Sequence, residues 1–280
     1  MSLATPQASR AARSPDPSPM RDAGELGRLG RLTVRLARDD VDVERAQALR
    51  YDVFVREGGA RTANGTGLET DRFDELCDHL LVLDEASGTL AGTYRLLPQE
   101  VAARHDGFYS ESEFDLAPML ARHADRRFLE LGRSCVHPDY RDRRAIELLW
   151  QGAWSYALTR GFDVMFGCAS LPGTDPDAHA ATLATLRRRA LAEPCWHARA
   201  RPEALELAAF DGPKGAERPI NGVAALPPLL KGYLRLGGRV GPAAHVDREF
   251  GCIDLLLTLP REAIAPRYLA HYGADARRFG

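Results

Sequence analysis

The candidate catalytic group in this sequence is Glu130, which lies inside a predicted β-strand over residues 127–136. Strand alternation predicts that Glu130 lies on one face and Arg133 on the other. Apolar neighbours predict that the carboxyl is buried, and burial raises the pKa of a carboxylic acid. Such a group can accept a proton as a general base. The same spacing also fits a structural ion pair between Glu130 and Arg133 at a sheet edge.

Charged residues are also concentrated in the polar segment around residue 70. Four carboxylates lie there, beside or at the start of a predicted hairpin: Glu69, Asp71, Asp74 and Asp78. A substrate that carries ammonium groups requires carboxylates, so the segment is a candidate for recognition of an amine. Alternatively, the aspartates cap a turn. Arg50, Arg95 and Arg133 could instead pair with the segment and hold it, and the spacing does not rank these roles.

Other reactive residues give weaker signals. Cys135 and His137 could be drawn as a thiol nucleophile and its base, but the turn at Pro138 intervenes and a small core cysteine is the favoured interpretation. The histidines show no H-E-x-x-H or comparable ligand spacing, so we predict no metal site. The glycine pairs at 58–59 and 237–238 predict turns, because neither lies in a glycine-rich phosphate-binding motif.

Hydrophobic periodicity predicts strands and helices in alternation from residue 32 onward. Predicted strands cover residues 32–37, 127–136, 163–169 and 254–259. The clearest hairpin runs from 79 to 97 with a turn at 85–88. Predicted helices cover residues 42–56, 144–160, 175–192 and 225–235. The long polar loop at 58–70 is of a kind that a compact domain keeps for function or leaves mobile. This order predicts one α/β domain with a mixed sheet covered by helices.

Composition is typical of a soluble globular protein. Of 280 residues, 45% are hydrophobic and 27% are charged, and 37 basic against 39 acidic residues give a net charge of −2. This balance excludes a global attraction to nucleic acid, so we predict no nucleic-acid partner. Five widely spaced cysteines without a C-x-x-C pair indicate a reducing compartment, and no apolar run could span a bilayer. We expect a cytoplasmic protein with a disordered tail at residues 1–30 and a domain at residues 31–280.

Four motifs, taken in order, resemble those of a known acyltransferase family. They are Arg50-x-x-x-Phe54 in the first helix, Asp71 and Asp74 in the acidic segment, Gly92-x-x-Arg95 in the hairpin and Glu130-x-x-Arg133 in the next strand. This order resembles the acyl-homoserine lactone synthases and, more closely, the ornithine N-acyltransferases of ornithine-lipid synthesis, both in the GNAT superfamily. Further runs favour the ornithine branch: Asp78-His79-Leu80, ELGRSCVHPDYR from Glu130 and LPPLLKGYLR from Leu226. The likeness spans residues 32 to about 272.

The resemblance implies an α/β, GNAT-like fold with a mixed, mostly antiparallel central sheet flanked by helices. It also implies transfer of a 3-hydroxyacyl chain from acyl carrier protein to the α-amine of L-ornithine, which gives lyso-ornithine lipid. Glu130 would then be catalytic, and the substrate-binding residues would be Arg50, Phe54, Asp71, Asp74, Asp78, Arg95 and Arg133. Two alternatives remain: an acyl-homoserine lactone synthase that uses S-adenosylmethionine, and a non-catalytic acyl-carrier-protein binding module.

The residues are compatible with this chemistry. Acyl transfer from a thioester to an amine needs a neutral nitrogen, hydrogen-bond donors for the developing oxyanion and two substrates held close together, but no covalent nucleophile. An α-amine has a reference pKa of about 7.7–8 and a side-chain amine one of about 10.4. A modest base therefore selects the α-amine of a diamino acid.

The expected donor follows from a departure from the superfamily pattern. GNAT enzymes that use coenzyme A usually place a glycine-rich turn after the central strand, where backbone N–H groups close around a pyrophosphate. Residues 140–146 contain no glycine, and Arg141, Arg143 and Arg144 there suit the phosphate of phosphopantetheine and the acidic surface of acyl carrier protein. We therefore expect no bound cofactor beyond the carrier's phosphopantetheine. The basic N-terminal segment and an acylated product further predict peripheral contact with the inner membrane.

Overall fold

The computed structural model describes residues 24–61, 65–201, 204–210 and 226–264. Within these ranges the chain forms eleven strands, numbered here in chain order. They are β1 (Gly27–Leu29), β2 (Leu32–Leu36), β3 (Asp78–Asp84), β4 (Thr89–Pro98), β5 (Phe114–Asp115), β6 (Phe128–Val136), β7 (Val164–Pro172), β8 (Arg199–Ala200), β9 (Leu205–Glu206), β10 (Arg239–Asp247) and β11 (Cys252–Pro260).

Nine of these strands form one central sheet in the order β1-β2-β3-β4-β6-β7-β11-β10-β9. Neighbouring strands are antiparallel, with the exception of the parallel pair β6 and β7. Strands β5 and β8 pair separately. This topology confirms the mixed, mostly antiparallel sheet.

Helices cover the sheet at positions that the sequence largely predicts. They are α1 (Asp40–Arg50), α2 (Gln99–Ala102), α3 (Ala117–Arg122), α4 (Arg143–Arg160), α5 (Ala180–Ala190) and α6 (Pro228–Leu236). A π-helical segment, Tyr51–Glu57, continues α1. Asp39 caps the start of α1 by accepting a hydrogen bond from the Asp42 backbone N–H. Gly161 ends α4 in the left-handed conformation, with φ of 71°.

The inner strand β3 is buried on both faces. In this strand Leu80 and Val82 pack in the core cluster that includes α4, whereas Leu81 and Leu83 pack in the cluster beneath α1. Successive side chains point to opposite faces, so a strand that is covered on both sides must be apolar throughout.

Two sequence predictions about strands need correction. Residues 27–29, assigned to the disordered tail, form β1, because Leu26 and Leu29 pack against the main core and the backbone pairs with β2. Residues 1–23 of that tail lie outside the described residues, as do residues 265–280 of the predicted domain.

Strand β10 is absent from the sequence prediction, because Gly241 and Pro242 interrupt its apolar pattern. The structure accommodates them with a register shift between Val240 and Ala244.

A bulge in β6 changes the predicted faces of that strand. Arg95 of β4 lies opposite Gly132, and Thr93 lies opposite Cys135, so two residues of β6 face the single residue Tyr94. Arg133 has a φ of 53°, in the left-handed region. The extra residue turns Arg133 to the face that carries Glu130. The prediction that they lie on opposite faces is therefore wrong.

Candidate active site

A cavity of about 350 Å³ opens where β6 and β7 diverge. The two strands pair only at residues 128–130 and 164–166, and residues 131–134 and 168–170 beyond them line the cavity. Because pairing stops there, backbone polar groups on these strand edges are left without the neighbouring strand as a partner. Backbone N–H groups of this kind are candidate donors to the oxyanion of an acyl transfer.

Glu130 lies at the point where this pairing ends, and its side chain is buried. Its Oε2 accepts a hydrogen bond from the Tyr109 backbone N–H at 2.7 Å. Its Oε1 accepts two from Ser110, from the backbone N–H at 2.8 Å and from Oγ at 2.5 Å. Burial raises the pKa of Glu130, although these hydrogen bonds oppose the shift. Within the described residues Glu130 forms no ion pair with Arg133, so that alternative is wrong.

Arg133 lies against the same turn as Glu130. Its guanidinium is 4.5 Å from the ring centroid of Tyr109 and 4.3 Å from that of Phe250. Its Nε is 3.0 Å from Glu69 Oε1, and its Nη2 is 3.3 Å from Asp71 Oδ2. Two aromatic rings and two carboxylates therefore fix this cation in the cavity wall.

The acidic segment holds arginines. Arg50 is buried, and its Nη1 and Nη2 donate to the two carboxylate oxygens of Asp74 at 2.7 and 2.8 Å. Arg95 Nη1 is 2.6 Å from Asp71 Oδ1 and 3.2 Å from Asp74 Oδ1. The hydrogen bonds from Arg50 hold the pKa of Asp74 well below its usual range, against the opposing effect of burial.

Glu69 completes this cluster, which we call the arginine–carboxylate network (Arg50, Glu69, Asp71, Asp74, Arg95 and Arg133). Glu69 contacts Arg50 at 2.6 Å and Arg133 at 3.0 Å. Within the network only Arg133 lines the cavity. The geometry thus supports the holding role for the other five residues, with Arg133 as the group that they position.

A second acidic group lines the cavity, and none of its members forms an ion pair with arginine, lysine or histidine in the described residues. Glu113, Asp247 and Asp254 face it from the segment before β5, from β10 and from β11. Glu113 and Asp254 are only 5% and 4% exposed. Burial and the nearby charge of Asp254 raise the pKa of Glu113 to about 8, and burial also raises the pKa of Asp254.

The rest of the cavity wall is largely apolar. Side chains from the π-helical segment, from α6 and from the loops beside it contribute: Val53, Phe54, Pro227, Leu229, Leu230 and Phe250. One part of the cavity wall carries carboxyl groups and another part carries aliphatic and aromatic side chains. Such a cavity can accommodate a polar amine and an acyl chain together.

The remaining predicted site residues are placed as follows. Phe54 lines the cavity, whereas Asp78 does not. Asp78 Oδ2 instead accepts a hydrogen bond from Tyr156 at 2.5 Å and lies 3.4 Å from Arg160. On the surface, Arg141 pairs with Glu57 at 2.5 Å, and Arg144 pairs with Asp142 at 2.5 Å. The Arg143 side chain lies outside the described residues. Cys135 is a buried core residue, as the sequence analysis favours.

Sequence reasoning missed Tyr109, Ser110, Glu113 and Asp254. Residues 109–113 carry no motif, and the 3₁₀ turn Tyr109–Ser112 reaches Glu130 only through the fold. Asp254 did leave a signal, since it is a charge inside the apolar run of β11.

Asp247, Cys252 and Asp254 also form a group whose ligand atoms all lie within 4.8 Å of one another. Carboxylate and thiolate are ligands for divalent cations, so this group is the place to test the prediction of no metal site. No helix in the described ranges is long and apolar enough to cross a membrane.

The fold and site define a class: an acyltransferase with a GNAT domain. Residues 49–151 match the acetyltransferase (GNAT) domain family. The chain is 49% identical to the L-ornithine N(alpha)-acyltransferase of Rhizobium meliloti (strain 1021) over 91% of this chain and 88% of that protein. It is 47% identical to the enzyme of the same name from Agrobacterium fabrum, over 91% of this chain and 89% of the relative.

Among solved structures, an N-acyl amino acid synthase from uncultured soil microbes is similar, with a TM-score of 0.49 and 13% sequence identity. The match covers 86% of this chain and 97% of that chain. The sequence identities above decide the family. This chain belongs to the L-ornithine N(alpha)-acyltransferase family.

Proposed function

We propose that this protein transfers a 3-hydroxyacyl chain from acyl carrier protein to the α-amine of L-ornithine, giving lyso-ornithine lipid. Its relatives carry the ornithine acyltransferase name, which supports the acceptor. The observation that carries the chemistry is Glu130, a buried carboxylate with a raised pKa at the strand divergence. A base of this kind removes the proton that the α-nitrogen must lose when it forms the amide.

Ser110 extends the reach of this base. The hydroxyl of Ser110 donates to Glu130 Oε1 at 2.5 Å, and Ser110 also lines the cavity. The neutral amine attacks the thioester carbonyl and forms a C–N bond, and the nitrogen then loses a proton through Ser110 Oγ to Glu130. The C–S bond breaks, and the thiolate of phosphopantetheine leaves and takes that proton from Glu130 as the amide forms.

The other cavity walls have complementary roles. Arg133 is the only cation among the described residues that line the cavity, and it offers its charge to the α-carboxylate of the acceptor. Phe54, Leu229 and Leu230 offer an apolar surface to the acyl chain.

The carrier-protein donor is proposed from the start of α4. Asp142 caps this helix, and residues 140–146 supply no glycine for a backbone cradle around a pyrophosphate. Arg141 and Arg144 are exposed beside this helix start, although each is paired with a neighbouring carboxylate. An acidic carrier surface can compete for these arginines because surface ion pairs contribute little stability.

Peripheral membrane contact is a further part of the proposal. Its support is the amphiphilic product, which must reach a bilayer. Arg28 and Arg31 of the predicted basic segment pair with Glu25 and Asp84, so their charge is partly neutralised. Flotation of the full chain with vesicles that contain anionic lipid tests the contact, and protein that stays at the bottom at low salt would contradict it.

The activity is tested with purified protein, 3-hydroxyacyl-carrier protein and L-ornithine, with mass spectrometry of the product. We expect an amide on the α-nitrogen. A lactone formed only with S-adenosylmethionine would identify an acyl-homoserine lactone synthase instead. Carrier binding without turnover of any amine would identify the non-catalytic binding module.

A further inference from the structure

We propose that Glu113 and Asp254 bind the side-chain ammonium of the acceptor and so select a diamino acid over a neutral amino acid. This inference rests on the proposed function, because it assigns a part of the same cavity to one group of the substrate. It concerns residues that no sequence motif includes.

The hydrogen-bond partners of both carboxylates are neutral groups, although the charge of Arg133 acts on Glu113 and that of His245 on Asp254 from a distance. Within the described residues Glu113 Oε2 accepts a thiol hydrogen bond from Cys168 Sγ at 3.3 Å, and Asp254 accepts one from Cys252 Sγ at 3.5 Å and another from the side chain of Ser170. Thiols are weak donors. Neither carboxylate forms an ion pair with arginine, lysine or histidine in the part of the chain that the structure describes. The network carboxylates Asp71 and Asp74, by contrast, are each bound by two arginines.

Both carboxyl groups are also buried. Glu113 and Asp254 are more than nine-tenths buried, yet both line the cavity. Ionising two nearby buried carboxyl groups without a cation is costly, because burial and mutual repulsion both favour the neutral acid. A bound ammonium offsets this cost and allows the pair to act as carboxylates.

Glu113 also lies close to the hydroxyl group that contacts Glu130. The Cys168 thiol lies 3.3 Å from Ser110 Oγ and 3.3 Å from Glu113 Oε2. The thiol of Cys168 therefore lies between Glu113 and the Ser110 hydroxyl, which itself contacts Glu130. An acceptor whose α-amine approaches Ser110 can direct a side-chain ammonium toward Glu113, provided that a short methylene chain separates the two nitrogens, as in ornithine.

The test is binding of L-ornithine and of L-norvaline, which is ornithine without its terminal amine. Isothermal titration of the full chain compares the unaltered protein with Glu113→Gln and Asp254→Asn. We expect each variant to bind ornithine about 10- to 100-fold more weakly, the scale of one charge-assisted hydrogen bond. Norvaline affinity, measured by competition, should stay the same. In turnover assays the KM for ornithine should rise while kcat changes little.

Asp125→Asn is the matched control, because it removes an exposed carboxylate in the loop before β6. Both variants are expected to fold, since each substitution keeps the size of the side chain and removes a carboxyl group that is costly to ionise when buried. Unchanged ornithine affinity in both variants, with normal acylation of ornithine, would overturn this inference and leave the proposed function intact. No ornithine binding by the unaltered protein would overturn both.

A metal analysis distinguishes an ammonium-binding site from a metal site. The purified chain is analysed for bound metals, and ornithine binding is repeated with added Zn²⁺ and with a chelator. We expect no stoichiometric metal and no effect of the chelator. A stoichiometric divalent cation that Asp254→Asn removes would reassign the group Asp247, Cys252 and Asp254 as a metal site and overturn the inference.

Discussion

At the residue scale, Glu130 has two roles. It anchors the turn at Tyr109 and Ser110, and it lies where an amine can reach its hydrogen-bond partner, the Ser110 hydroxyl. Three hydrogen bonds from Tyr109 and Ser110 fix its carboxylate. These donors favour the charged form, whereas burial favours the neutral form, and burial prevails. The result is a carboxylate whose pKa is shifted upward in a fixed orientation, as a general base requires.

We predict that Glu130→Gln lowers kcat by about 10²–10⁴, the range for loss of a positioned acid or base. The amide group of glutamine cannot accept all three hydrogen bonds, so the free energy of unfolding should also fall, by about 1–3 kcal/mol. Stopped-time assays at saturating ornithine and urea unfolding measure the two effects. Ser110→Ala is the comparison variant, because it removes one of the three hydrogen-bond donors and keeps the carboxylate of Glu130. Normal turnover by Glu130→Gln would assign the carboxylate to anchoring alone.

His79 gives a second prediction at this scale. Burial lowers the pKa of His79 to about 4, and its Nε2 lies 2.9 Å from the Asp74 carbonyl oxygen. In the unfolded chain the pKa is about 6.5. Between these values the unfolded state binds more protons than the native state, so the stability of the fold falls as the pH falls from about 6.5 to about 4. The total loss from this group is up to about 3 kcal/mol.

Urea unfolding of the unaltered protein and of His79→Gln at several pH values isolates this effect. The glutamine variant does not titrate, so its stability should fall less on acidification through this window. Other groups, including Glu113, remain in both proteins and cancel in the comparison. Parallel stability curves would show that His79 keeps a normal pKa in the fold.

At the scale of elements, the arginine–carboxylate network links α1, the acidic segment, β4 and β6. The predicted polar loop at 58–70 is long for a compact domain. Near its end, Glu69 contacts Arg50 and Arg133. The function of that loop end is therefore structural. It fixes the bulged part of β6, where Arg133 enters the cavity wall.

The network leads to a prediction for Asp74. Its carboxylate binds Arg50 and Arg95, which are both 3% exposed or less. Asp74→Asn therefore removes a negative charge that both buried arginines need. We expect a loss of about 3–5 kcal/mol in the free energy of unfolding. Asp52→Asn breaks an exposed ion pair with Arg56 and should cost less than about 1 kcal/mol. If Asp74→Asn instead kept its stability and raised the KM for ornithine, Asp74 would contact the acceptor, as the sequence analysis proposes.

The predictability of the elements follows from their patterns. The hairpin of β3 and β4 and the long helix α4 have uninterrupted periodicity and clear turn residues, and both form as predicted. Strand β10 contains a Gly-Pro pair, and the bulge in β6 depends on its pairing with β4. Local sequence does not encode a register shift that two distant strands make together, so the face of Arg133 could not be read from alternation.

At the scale of the whole molecule, the site combines segments that are far apart in the sequence. The motifs Arg50 to Arg133 predict the network and Glu130, because their residue types suit charge pairing and proton transfer. Glu113 and Asp254 line one cavity although they lie 141 positions apart in the sequence. No sequence spacing predicts that they share a cavity, and only the fold shows which acidic residues form no ion pair with arginine in the described residues.

The choice of donor is also a property of the whole molecule, since a carrier protein must dock beside the cavity. The start of α4 lacks the glycines that admit a pyrophosphate, and exposed Arg141 and Arg144 lie there. We predict that kcat/KM with 3-hydroxyacyl-carrier protein exceeds that with the matching coenzyme A thioester by at least about tenfold, a difference of about 1.4 kcal/mol in transition-state binding.

Salt and charge reversal test the origin of that preference. Rising salt should raise the KM for the carrier protein, because screening weakens attraction between charged surfaces, but should affect the coenzyme A thioester less. Arg144→Glu should do the same at low salt, whereas Arg38→Glu, the same charge change at an exposed position before α1, should not. Equal efficiency with both donors at moderate salt would contradict the carrier-protein assignment. In that case α4 would bind the donor through contacts other than the arginine charge.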